Sequence, residues 1–143
     1  MPTLTNDMMR AIIYDHSSNP QNKRVPKKEG YEKIHMHSDN CIDDIDVYLK
    51  LENNKVIDAC FEGVGCTIST ASTDIICELL IDKTKEEAEY ILKQYDNMLH
   101  EEHYDEDALE EANAFSRTSK QAARIRCATI GSRAMEELLK EKK

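Results

Sequence analysis

Three cysteines and an aspartate stand out by type and setting: Cys41-Ile42-Asp43, then Gly63-Val64-Gly65-Cys66, then Arg124-Ile125-Arg126-Cys127. Thiolate sulfur and carboxylate oxygen together make a ligand set for a tetrahedral zinc ion, and thiolates also carry out sulfur exchange. The two glycines before Cys66 let the backbone turn tightly and approach a ligand closely. The residues after it read as a helix start, whose free N–H groups and dipole favour a thiolate at Cys66 over a thiol. No Cys-x-x-Cys pair is present. Spacing alone therefore leaves metal binding balanced against a plainer reading, in which Cys66 and Cys127 are small buried hydrophobes. Asp43 likewise belongs to Asp43-Asp44-Ile45-Asp46, which also reads as a solvated strand edge.

The elements that must position these residues follow from periodicity. Ile45, Val47, Leu49 and Leu51 alternate with Asp44, Asp46, Tyr48 and Lys50, the period of a half-buried strand. Asn53-Asn54 suits a tight hairpin turn, and Ile57, Ala59 and Phe61 are expected on the core face of the returning strand. His35 and His37, around Ile34 and Met36, fall in a shorter strand before it. The loop carrying Cys41 and Asp43 enters the hairpin and the loop carrying Cys66 leaves it.

The rest reads as helix. Thr5 caps a first helix through Met8, Met9, Ile12 and Ile13, ended by Asn19-Pro20, and residues 21–30 form a basic loop. Ile68, Ala71, Ile75 and Leu79, with Ile76 and Leu80 beside them, give a helical stripe. Thr84-Lys85-Glu86-Glu87 is a capping box for a helix burying Ala88, Ile91, Leu92, Tyr95 and Leu99. The acidic stretch from His100 to Glu111 predicts an exposed helix or a loop with helical turns. Thr118-Ser119-Lys120-Gln121 resembles a second capping box, opening a long last helix with Ala123, Cys127, Ile130, Ala134 and Leu138 on one stripe. The expected fold is α+β: a small antiparallel sheet of about three strands, with helices packed on one face, in a single domain over residues 1–143.

Bulk composition narrows the function. A net charge of −9 over 143 residues argues against nucleic acid or an anionic membrane as partner and for a partner with a basic docking surface. No apolar run approaches the ~20 residues that span a bilayer, and no signal-peptide core follows the start, which predicts a cytoplasmic protein. Five cysteines without a secretory signal point to a reducing compartment, where thiols act as ligands or reactive groups. Cys60 and Cys77 lie outside the motifs and read as incidental thiols. His35 and His37 precede the cysteine motifs, and His100 and His103 sit in the acidic stretch, so none is expected to bind metal.

Gly-x-Gly-Cys-x-Ile-Ser-x-Ala-Ser at 63–72, preceded by Cys-x-Asp at 41–43 and followed by Arg-Ile-x-Cys-Ala-Thr at 124–129, resembles the IscU/NifU-type iron–sulfur cluster assembly family. The resemblance is greatest to its SufU branch of zinc-dependent sulfur acceptors. Ile12-Ile13-Tyr14-Asp15-His16 with Asn19-Pro20-Gln21-Asn22 is similar to the family's first helix and following turn, so the likeness covers nearly the whole chain. It implies Zn²⁺ held by Cys41, Asp43, Cys66 and Cys127, and a sulfurtransferase role in which Cys41 accepts persulfide sulfur from a cysteine desulfurase of the SufS kind. In such proteins zinc holds the first cysteine as a protected thiolate until the partner's ligand frees it, and sulfur then passes to downstream iron–sulfur assembly proteins. The alternative within the same family is a scaffold on which a transient iron–sulfur cluster is built. Arg124 matches an arginine three residues before the last cysteine in SufU-like sequences; it either steadies the thiolates or pairs with a surface carboxylate.

Departures from the family pattern sharpen the choice. Ile42 and Asp39 stand where the family commonly has glycine and proline, and a β-branched residue inside the Cys41–Asp43 loop narrows its backbone states. Arg126 replaces the histidine that usually precedes the last cysteine in IscU-type scaffolds, and Ala122-Ala123 replaces their proline-rich segment. Both favour the zinc-bearing sulfur acceptor over the cluster scaffold.

Overall fold

A computed structural model describes residues 4–37 and 42–141. Its framework is a hairpin. Strand β2 (Asp44–Glu52) and strand β3 (Lys55–Val64) pair antiparallel, and β1 (Glu32–His37) adds to the other edge of β2, giving the order β1-β2-β3. Asn53 and Asn54 make the turn with φ of 52° and 64°, the left-handed pair that matches strand twist in a two-residue hairpin. Ile45, Val47 and Leu49 are buried as their alternation requires.

The returning strand departs from the expected alternation at one place. The register shifts between Lys50 and Leu51, so that Lys50 faces Asp58 but Leu51 faces Val56. This bulge reverses the side-chain alternation beyond it. Val56 is therefore buried with Ala59 and Phe61, while Ile57, expected on the core face, is 40% exposed.

The described residues form five α-helices, packed on one face of the sheet: α1 (Asn6–Ser18), α2 (Thr67–Leu80), α3 (Lys85–Leu99), the short α4 (Glu106–Leu109) and α5 (Ala122–Glu141). The Thr5 hydroxyl caps α1 by accepting from the Met8 N–H, and Asn19 ends it. Thr84 and Glu87 form the reciprocal capping box of α3. Packing of α2 and α5 on each other and on the strands forms the core, with α1 against the outer side of α2.

The acidic stretch is a brief α4 running into a 3₁₀ segment, Glu110–Phe115, which tucks Leu109, Ala112 and Phe115 inside. A separate 3₁₀ turn occupies Thr118–Lys120 with no side-chain cap, and α5 begins only at Ala122. The second capping box is thus absent, and Ala123 faces solvent. The buried stripe of α5 starts at Cys127 and Ala128. No helix among the described residues is long and apolar enough to cross a membrane.

Two polar groups fasten the segment after α1. Asp74, wholly buried on α2, accepts from the Asn22 N–H at 2.8 Å and lies 2.5 Å from His16 Nδ1, with Glu111 3.1 Å from His16 Nε2. Burial alone would lower the pKa of His16, but the hydrogen bonds and charges of Asp74 and Glu111 outweigh it and raise it. Further along, the Phe61 N–H donates to the Asn22 carbonyl and the Arg24 N–H to that of Phe61. Residues 22–24 therefore lie along the free edge of β3 and blunt it.

Arg24 also grips Asp58 with both guanidinium nitrogens, at 2.9 and 2.7 Å, and the Tyr31 hydroxyl donates to the same carboxylate at 2.5 Å. Burial raises the Asp58 pKa, but these donors overcome that and hold it below the ordinary carboxylate range. A carboxylate with a depressed folded pKa contributes stability above its unfolded pKa and loses it as pH falls through the folded value. Asp58→Asn should therefore cost roughly 1 kcal/mol at pH 7. Urea midpoints of wild type and variant should begin to converge near about pH 4, where the unfolded carboxyl titrates, and meet only below the depressed folded value. A difference that does not change with pH would remove this account.

Candidate metal centre

The hairpin register sets the site. Because Asp44 pairs with Val64, Asp43 just before β2 and Gly65-Cys66 just after β3 meet at one end of the sheet. Asp43 is only 2% exposed. Its Oδ1 accepts the Cys66 N–H at 2.9 Å and the Ser69 hydroxyl at 2.7 Å. Its Oδ2 is buried and has no hydrogen-bond partner among the described residues.

Cys66 caps α2: its sulfur accepts the Ser69 N–H at 3.4 Å. The helix start expected from the sequence is therefore present, with sulfur in the position that a serine or aspartate oxygen usually fills. Cys127 comes from the buried stripe of α5. The turn carrying it is tied down by the Ser72 hydroxyl, 3.3 Å from the Cys127 carbonyl, and by the Tyr95 hydroxyl, which donates to the Ala128 carbonyl at 2.7 Å. Ligand atoms of Asp43, Cys66 and Cys127 all lie within 4.8 Å of one another.

Two thiols and one carboxylate around a common point fit a borderline-soft cation such as Zn²⁺. The orphaned Oδ2 supports that fit, because a buried carboxylate oxygen without a donor costs free energy that a cation would offset. Cys41 and Asp39 lie outside the described residues. Ile42, beside the buried aspartate, is 64% exposed.

The remaining candidates separate cleanly. Cys60 is buried beside Arg24 and Asp58, and burial pushes its thiol up to about 11. Burial raises Cys77 well above the ordinary thiol range as well. Neither joins a metal-binding group among the described residues. His35 lies between Asp44 and Asp46, at 2.7 and 2.8 Å, on the exposed sheet face. Arg124, one turn before Cys127, is exposed and lines a groove of about 290 Å³ with Arg10, Arg117 and Ile68. It makes no ion pair among the described residues, so neither a thiolate nor a carboxylate partner is assigned to it.

The sequence places Ser69 and Ser72 in the central motif and Tyr95 in the core, but does not show that they orient the ligands. Ser69 carried a readable signal: it stands three residues after the helix cap, where a side chain can turn back toward the cap. The other two act across helices and leave no local pattern.

Fold and site together define the class. Residues 8–137 match the NifU-like N terminal domain, and the chain belongs to that family. It is 32% identical over 136 residues to the iron–sulfur cluster assembly scaffold protein IscU of Streptococcus pyogenes serotype M1, covering 94% of this chain and 84% of that protein. With the zinc-dependent sulfurtransferase SufU of Bacillus subtilis (strain 168) it shares 35% identity over 131 residues, 91% of this chain and 88% of that one. A crystal structure from Fervidobacterium islandicum AW-1, described as an iron–sulfur cluster assembly scaffold protein for the SUF system, matches with a TM-score of 0.81 at 29% identity. It covers 90% of this chain and 93% of that one.

The two glycines of the central motif have different tasks. Gly63 has φ of 129°, and a Cβ there would collide with the Asp44 carbonyl and lie 2.9 Å from the Ile45 Cα. A Cβ at Gly65 would meet the Ser69 hydroxyl oxygen at 2.5 Å, displacing the donor that holds Asp43. Gly63→Ala should therefore destabilise the hairpin by more than about 1 kcal/mol in urea denaturation. Gly65→Ala should leave the fold nearly unchanged but weaken Zn²⁺ retention against a chelator by about tenfold or more. Equal behaviour of the two variants in both assays would refute this division.

Proposed function

We propose that the protein is a zinc-dependent sulfur acceptor for iron–sulfur cluster assembly. On this reading one Zn²⁺ is held by Cys41, Asp43, Cys66 and Cys127, and Cys41 receives sulfur from a cysteine desulfurase. The observation that carries the reading is the buried Asp43 carboxylate, fixed through Oδ1 and unsatisfied at Oδ2 beside two thiols. Bound Zn²⁺ would keep the cysteine ligands deprotonated near neutral pH. The likeness to a zinc-dependent sulfurtransferase across nine-tenths of the chain supports the same function.

The transfer is a thiol–persulfide exchange. The Cys41 thiolate attacks the outer sulfur of the desulfurase persulfide, an S–S bond forms to Cys41 as the desulfurase S–S bond breaks, and the desulfurase cysteine leaves as a thiolate. Sulfur keeps its oxidation state overall and no external oxidant is needed. Asp43, Cys66 and Cys127 serve as the fixed part of the site. The protein acts as a carrier that turns over together with its partner. The −9 net charge suits a desulfurase with a basic docking face.

Purified protein should contain about one zinc per chain, and chelation should lower its Tm because metal binding adds to folding free energy. Cys41→Ala should abolish stimulation of the desulfurase; full stimulation by that variant would overturn the assignment. The second reading, a cluster scaffold, draws on the likeness to IscU and on the ability of the same thiolates to bind iron–sulfur clusters. Anaerobic reconstitution decides between them. A stable coloured cluster passed intact to an apo acceptor would favour the scaffold.

Ile42 gives a finer test. Ile42→Gly should speed sulfur transfer and weaken zinc retention, because glycine widens the backbone states between Cys41 and Asp43. Unchanged or slower transfer would mean that loop stiffness does not limit Cys41.

A further inference from the structure

A second cluster of potential ligands lies away from the thiols. Ligand atoms of His16 on α1, Glu78 on α2 and Glu111 in the 3₁₀ segment after α4 all fall within 4.8 Å of one another. Glu78 is twelve residues beyond Cys66 along α2, about 18 Å at the rise of a helix. The two clusters are therefore separate sites.

The cluster pairs His16 with Asp74 and Glu111 and also offers the donor set of a metal site. His16 is buried, and its Nδ1 lies 2.5 Å from Asp74 Oδ2. Asp74 in turn is locked by Asn22, whose backbone N–H and side-chain amide both donate to Oδ1. A carboxylate on one imidazole nitrogen is the arrangement that fixes a histidine so that its other nitrogen can bind a metal. That other nitrogen, Nε2, points to Glu111, 3.1 Å away. Glu78 makes no hydrogen bond or ion pair among the described residues, although its carboxylate lies beside both. Asp74, Glu78 and Glu111 thus gather around one imidazole, with Asp15 adding charge nearby. A single imidazolium cannot neutralise this group. Glu78 is exposed and Glu111 is half-exposed, which leaves an entry path from solvent.

We propose that His16 Nε2, Glu78 and Glu111 form a second divalent-cation site, with Asp74 as the positioning residue for the imidazole. One nitrogen and two carboxylates make a harder donor set than the thiols, suited to Mn²⁺ or a similar first-row cation. The cation replaces the Nε2 proton, which is released to solvent, and Asp74 keeps the Nδ1 proton. Binding would join α1, α2 and the segment after α4 through one ion. The proposal does not rest on the sulfur-transfer reading; only its test uses the zinc site proposed above, and zinc content measured in the same samples separates the failure of that site from the failure of this one.

The experiment loads the full chain with one equivalent of Zn²⁺, which the thiols capture, and then titrates Mn²⁺ while free Mn²⁺ is read by electron paramagnetic resonance. Wild type should bind one Mn²⁺ with Kd at or below about 1 mM, and its Tm should rise with added Mn²⁺. Glu78→Gln and Glu111→Gln should each weaken Mn²⁺ binding about tenfold or more and remove the Tm rise, with zinc content unchanged. Glu89→Gln, a surface control that removes the same charge, should do neither. Absence of Mn²⁺ binding in that range, or equal weakening by Glu89→Gln, overturns the site.

Discussion

The pairing of Asp44 with Val64 is the constraint from which the thiol site follows. It brings the residue before β2 and the residues after β3 to the same end of the sheet. The Asp43 carboxylate can then accept the Cys66 N–H while the Cys66 sulfur accepts that of Ser69. A one-residue slip would turn the inward face of β2 outward, burying Asp44 and Asp46 and exposing Ile45, Val47 and Leu49. The core therefore enforces the register, and the register enforces the site. The bulge at Ile57 lies toward the turn, so the strand ends that carry the site keep regular pairing.

The first helix is held by chemistry of another kind. Its apolar face is modest: Met9 is buried, Ile12 and Ile13 are only partly so, and Met8 is exposed. Burial of that size leaves its placement weakly specified. The His16–Asp74–Asn22 group adds direction, since a buried carboxylate must find its donors at fixed angles and distances. It fixes both where α1 ends on α2 and where residues 22–24 begin their run beside β3. Breaking such a group leaves a buried charge uncompensated, which costs far more than a lost surface pair.

How much of this was legible in the sequence depends on whether the cause was local. The alternation from Asp44 to Leu51, the Asn53-Asn54 turn, the Thr5 cap and the Thr84–Glu87 box are all local, and the structure shows each. Cys66 as a helix cap was readable for the same reason. Ile57 departs from the alternation because a bulge arises between two strands and is not written in either alone. The last helix starts later than its sequence pattern, at Ala122, because Thr118 is buried in a 3₁₀ turn and makes no cap there. The part played by Asp74 is not legible locally, because its donors come from His16 and Asn22, more than fifty residues away in sequence. Asp43 and Cys127 could be placed near each other only through the family resemblance, since one precedes the sheet and the other lies in the last helix.

The three described ligand candidates differ from a surface cluster in how little each can move. Asp43 is fixed by two donors to one oxygen, Cys66 by its place in the α2 cap, and Cys127 by a helix turn anchored through Ser72 and Tyr95. Three groups ordered in advance lose little entropy on binding an ion, so most of the affinity can reside in them. A fourth ligand can then exchange without dismantling the site, the arrangement by which reactive zinc centres differ from structural ones. On the proposed reading the sequence divides these duties physically. The holding ligands are built into secondary structure and core, and the sulfur-accepting Cys41 falls between β1 and β2 in the sequence.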